Sequence, residues 1–188
     1  MPYEKLTRER ILAAFALMGR YAAAEGVQLE IGLYGGTAMM LAFDARETTK
    51  DVDAIVRPAD IGQRLAERVG REFELPADWL NASVRQFVSE KDRDGLIPLN
   101  TPKLEGIVLR RPSASYLLAM KAFACRTPLP GYAGDVDDLR FLCRKMNIRA
   151  IEEVERHLQR FYEHDVLTDR ARAMLASILE PGKPARPD

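Results

Sequence analysis

Apolar residues at Ile11, Leu12, Phe15, Leu17 and Met18 recur at helical spacing behind a charged start, which predicts an amphipathic helix over residues 7–24 that Gly26 stops. An apolar run over residues 28–34 predicts a strand ending at Tyr34. The Ala-, Met- and Leu-rich residues 37–43 predict a short helix directly after a Gly35-Gly36 turn. Asp51-Val52-Asp53-Ala54-Ile55-Val56 alternates with period two, so a second strand follows. Pro58 and Asp60 then open a helix reaching Val69, with Asp60 as its cap.

Residues 70–100 carry no clear period: Trp79 is expected on an apolar patch, and Glu90-Lys91-Asp92-Arg93-Asp94-Gly95 reads as a charged turn. Residues 104–110 read as a strand with apolar side chains on both faces, and Ser113 or Ser115 caps a helix running through Arg126. The stretch TPLPGYAG, residues 127–134, is rich in proline and glycine and marks a boundary. Helices over 135–146, 150–162 and 168–179 follow, and residues 181–188 read as a disordered tail. The expected fold is α/β (α+β): a small mixed sheet with an N-terminal helix in residues 1–126 and a helical C-terminal portion in 127–180.

With 188 residues, 47% hydrophobic and 30% charged, the chain can bury a sizeable core. Basic and acidic residues balance at 28 each, with a pI near 6.8, so no global field draws nucleic acid and any such binding rests on a local patch. Cys125 and Cys143 lie in apolar helical stretches at a spacing that fits no zinc pattern, and read as buried free thiols. His157 and His164 are separated by a helix break and read as surface histidines. No run of eighteen apolar residues occurs, and the charged start MPYEKLTRER does not read as a secretion signal, so a cytoplasmic protein without a membrane segment is expected.

The chemistry concentrates between Gly35 and Asp53. A diglycine lets the backbone turn with positive φ and bring N–H groups close to a ligand, and a helix beginning there aims its positive end at the same spot. An anion such as phosphate fits. Asp51 and Asp53, two apart on a strand, share one face with Cα atoms about 7 Å apart at roughly 3.3 Å per residue. Such a pair can converge on Mg²⁺, which favours a few carboxylates plus substrate phosphates over an all-protein cage. Between them lie Arg46, Thr48, Thr49 and Lys50, with Arg46 and Lys50 able to steady phosphate oxygens. By itself, Lys121 among Leu117, Leu118, Met120 and Phe123 reads as a snorkelling surface lysine. The cluster Asp135, Asp137 and Asp138 by itself reads as charge complementing a helix N-terminus.

The segment GGTAMMLAFDARETTKDVDAIV resembles the signature of the nucleotidyltransferase superfamily with a DNA polymerase β type fold. More closely, it is similar to bacterial nucleotidyltransferase-like proteins related to the AbiEii toxins of abortive-infection and toxin–antitoxin systems. The blocks Asp78-Trp79-Leu80-Asn81, residues 116–126 and Asp135-Val136-Asp137-Asp138-Leu139 look like later blocks of that group in the same order. The resemblance implies a nucleotidyltransferase core and Mg²⁺-dependent transfer of a nucleoside monophosphate from a nucleoside triphosphate. The acceptor would be transfer RNA, a protein or a small alcohol, and a cognate antitoxin is an implied partner. On this resemblance Gly35, Gly36 and Thr37 would hold the triphosphate, helped by Arg46 and Thr49. Asp51 and Asp53 would hold the metal, Lys121 would contact phosphate, and Asp135 or Asp138 would supply a further acid. Many members carry a third metal-binding carboxylate on a later strand; the only acid in residues 104–110 is Glu105, at the start.

Overall fold

A computed structural model of the chain describes residues 5–128 and 134–180, so the central part of the 127–134 linker and the 181–188 tail lie outside the described residues. The chain divides into two compact units. The first holds the residues up to Gln86 together with Leu96–Pro112, and the second holds Phe87–Gly95 together with the residues from Ser113 onward. The division thus falls at Pro112, not after Arg126 as the linker suggested, and the helix carrying Lys121 belongs to the second unit.

In the first unit, β1 (Leu6–Thr7) leads into α1 (Arg8–Ala24), where Thr7 Oγ1 caps the helix by accepting from Arg10 N at 3.3 Å. There follow β2 (Leu29–Leu33), α2 (Gly35–Phe43), β3 (Thr48–Thr49), β4 (Val52–Arg57), α3 (Ala59–Glu72), β5 (Leu80–Asn81), β6 (Leu96–Pro98) and β7 (Ile107–Pro112). The main sheet is mixed, in the order β5-β4-β2-β7-β6. β2 runs antiparallel to β4 and parallel to β7, β4 runs parallel to β5, and β6 runs antiparallel to β7. The mixed α/β class expected from the patterning is the one observed.

The core forms where one sheet face, Leu29, Ile31, Leu33, Val52, Ala54, Ile107 and Leu109, meets Ile11, Phe15, Met18 and Ala22 of α1 and Leu65, Ala66 and Val69 of α3. Trp79 closes this core: its ring lies 6.0 Å from that of Phe15 and its Nε1 donates to Ala66 O at 3.0 Å. α3 begins without a side-chain cap, because Pro58 occupies the N-cap and Asp60 sits inside the first turn, where its charge suits the dipole. Residues 46–50 contain β3, which pairs antiparallel with β1. This pairing tethers the glycine-proximal loop to the start of α1. From there Arg8 donates to Met40 O at 2.7 Å and ion-pairs with Asp44, satisfying a free carbonyl at the end of α2.

The second unit comprises α4 (Asp92–Gly95), α5 (Ala114–Ala124), α6 (Val136–Lys145), α7 (Ile151–Phe161) and α8 (Asp169–Leu179). Ser113, not Ser115, caps α5, accepting from Tyr116 N at 3.2 Å. Tyr116 is the hub: its ring lies 4.6 Å from that of Phe161, its hydroxyl accepts from Ser89 N at 3.0 Å, and the same hydroxyl donates to Asp92 Oδ1 at 3.1 Å. Tyr162 stacks on Phe123 at 4.7 Å and donates to Phe87 O. The charged turn at 90–95 is therefore bound into the helical unit. Cys125 and Cys143 are buried free thiols, and burial pushes the Cys143 thiol up to about 11. No helix among the described residues is long and apolar enough to cross a membrane.

Candidate functional site

The site candidates of the first unit gather at the junction of β2, α2 and β4. Tyr34, the residue after β2, donates its N–H to Asp53 O at 2.9 Å, so the diglycine leaves the sheet directly beside the aspartate strand. α2 begins at Gly35 itself, two residues earlier than the composition suggested, and its first intrahelical bond is Ala38 N to Tyr34 O at 3.0 Å. The N–H groups of Gly35, Gly36 and Thr37 thus precede the helical ladder. Gly35 has φ +54°, and a Cβ there would run into the Asp53 carboxylate. Only glycine lets that carboxylate lie against the turn.

A Cβ on Gly36 would stand 3.0 Å from Thr49 Oγ1 and 3.5 Å from a guanidinium nitrogen of Arg46. Arg46 and Thr49 therefore border the second glycine, whereas Lys50 is exposed. The two threonine hydroxyls meet at one carbonyl. Thr37 is fully buried and donates to Asp51 O at 3.2 Å, and Thr49 Oγ1 donates to the same carbonyl at 3.0 Å. They brace the entry to β4.

Asp51 immediately precedes β4 and Asp53 lies within it; Val52 and Ala54 enter the core, so the two aspartates project to the opposite face and are half-buried. Asn81, on the neighbouring β5 in register with Asp53, donates from Nδ2 to Asp51 Oδ2 at 3.0 Å. This contact spans thirty residues and depends on the short β5 pairing, so no local pattern in the sequence points to it. The strand that was to carry a third acid offers none. β7 is parallel to β2, with Leu29 opposite Ile107 and Gly32 opposite Arg110, so Glu105 precedes the end of β7 remote from the glycine turn. The near end carries Arg111, whose guanidinium stacks over Phe43 of α2 at 4.9 Å and is lowered from its ordinary pKa by burial. Among the described residues no group of three or more His, Cys, Asp or Glu side chains could hold a metal ion.

Lys121, Asp135 and Asp138 come together in the second unit as a buried ion cluster. Lys121 Nζ lies 2.7 Å from Asp135 Oδ1 and 2.7 Å from Asp138 Oδ2, and the lysine side chain is 6% exposed. The snorkelling reading of Lys121 is thus replaced by a buried pairing, and the acids do more than complement a helix dipole. Asp135 also accepts from Arg126 N at 2.8 Å. Burial pushes the Asp135 carboxyl upward, but Lys121 and the Arg126 hydrogen bonds outweigh it and hold the group below its ordinary value. His157, expected at the surface, is half-buried against Ser115 Oγ at 2.8 Å, and burial lowers its pKa. No family model, curated protein or solved structure matches this chain.

Proposed function

We propose that the protein is a Mg²⁺-dependent nucleotidyltransferase whose site is the diglycine turn and the two aspartates of β4. The observation that carries the reading is the Asp53 carboxylate seated against Gly35, beside the N–H groups that begin α2. A phosphate held by Gly35 and Gly36 would interact favourably with the helix dipole while its charge faced Asp51 and Asp53. Opposed negative groups in that arrangement need a cation between them. The donor set fits Mg²⁺: hard carboxylate oxygens, few in number, with substrate phosphates completing the shell.

Asp51 and Asp53 would hold the metal, which when bound would neutralise the triphosphate and align it for in-line displacement of pyrophosphate. Arg46, beside Gly36, would steady a phosphate oxygen, and Thr37 and Thr49 keep β4 in place through the Asp51 carbonyl. A nucleoside triphosphate is the donor, and an RNA, protein or small-molecule hydroxyl the acceptor. A toxin opposed by a cognate antitoxin is the setting that the sequence resemblance implies. Incubation of the protein with α-³²P-labelled triphosphates and a cell extract tests transfer. Label should enter an acceptor only with Mg²⁺ and vanish in Asp53→Ala, whereas equal labelling by both proteins would refute the assignment.

One observation favours a second reading. β7 supplies Arg111 in place of an acid at the site's end of the sheet, so a two-carboxylate pocket on a binding protein that has lost transfer is the alternative. Triphosphate binding without transfer to any acceptor would select it.

A further inference from the structure

The aspartate pair has an orienting neighbour that neither the motif nor its spacing assigns. Asn81 Nδ2 donates to Asp51 Oδ2 at 3.0 Å, while its own Oδ1 accepts from Ser83 N at 2.9 Å. The second bond decides which end of the amide faces the aspartate. A flipped amide would set two oxygens against each other and turn an NH₂ toward a backbone N–H. Asn81 is half-buried and also borders an open cleft of about 350 Å³ flanked by Ala54, Gly62, Glu67 and Arg85, so close packing makes no demand for an amide at this position.

We propose that Asn81 is a positioning residue for the metal site: its amide holds one oxygen of Asp51 and so turns the other toward the cation. This rests on the reading of Asp51 and Asp53 as metal ligands. A neutral donor suits the task. A lysine or arginine in its place would fix the carboxylate equally well but would repel the cation that the carboxylate must attract. Hydrogen-bonding partners of this kind tune a metal ligand by orienting it. The competing explanation is an Asx turn starting the 3₁₀ segment Ser83–Phe87, and that turn uses only the amide oxygen. The nitrogen's bond to Asp51 is a separate feature, and substitution can separate the two.

Asn81→Ser keeps an oxygen able to accept from Ser83 N, and its shorter side chain lacks the amide NH₂ that reaches Asp51. Asn81→Thr carries the same loss on a side chain that strands favour, and serves if the serine variant is unstable. Mn²⁺ affinity, read by electron paramagnetic resonance in the presence of a non-hydrolysable nucleoside triphosphate, should fall about 10- to 100-fold in either variant with the thermal midpoint unchanged. Nucleotidyl transfer by the variant should need correspondingly more Mg²⁺ and recover at saturating metal. A purely structural role would leave that metal requirement in place. Wild-type Mn²⁺ affinity in a folded variant overturns the positioning role and leaves the proposed function standing. Absence of Mn²⁺ binding by the wild-type protein removes the proposed function and the role of Asn81 with it.

Discussion

Gly35 meets two demands at once, a φ of +54° and an Asp53 carboxylate where a Cβ would stand. Gly35→Ala should therefore cost at least about 1–2 kcal/mol of stability from the left-handed backbone alone, and should displace Asp53. Urea unfolding and triphosphate binding measured together check this; wild-type values for both would contradict the account of the turn. The sequence made this residue and both aspartates legible, because a diglycine and an alternating acid pair are local patterns. It could not reveal that Thr37 and Thr49 turn their hydroxyls to the Asp51 carbonyl, since that depends on how β3 and α2 meet β4. Nor could it bring Asn81 to Asp51 without knowledge of a two-residue strand.

At the scale of elements, the Lys121, Asp135 and Asp138 cluster ties α5 to the start of α6. Removing the ammonium takes from two buried carboxylates the cation they share, so Lys121→Met should lower the unfolding free energy by about 3–5 kcal/mol. Denaturant titration followed by circular dichroism measures it, and a loss well under 1 kcal/mol would show the cluster to be dispensable. The pH dependence has a definite sign. The Asp135 carboxyl is held below its ordinary value in the folded state, so its contribution is present above the unfolded value of about 3.9 and is lost as pH falls through that value toward the lower folded one. Asp135→Asn should flatten stability across that acid window. Most helices and the first two main strands were readable from period and caps, as Ser113 illustrates. The short elements β1, β3, β5 and β6 were not, because strands of two or three residues carry no period and exist only through their partners.

At the scale of the whole molecule, the helical unit takes in Phe87–Gly95, which interrupts the chain of the sheet unit. Residues 113–188 alone would lose the Ser89 and Asp92 partners of Tyr116 and the Phe87 partner of Tyr162. That fragment should lack cooperative thermal unfolding by circular dichroism, and a sharp transition would contradict the discontinuous unit. The sequence placed the boundary at a proline- and glycine-rich linker, a cue for chain breaks that is blind to a segment inserted from elsewhere. The central claim, a metal-bridged triphosphate at Gly35, Gly36, Asp51 and Asp53, is tested most directly by calorimetric titration of a non-hydrolysable nucleoside triphosphate with and without Mg²⁺. The account predicts micromolar binding that requires Mg²⁺ and disappears when Asp51→Asn and Asp53→Asn are combined in a folded protein. Binding of the same strength without the metal, or in that double variant, would contradict it.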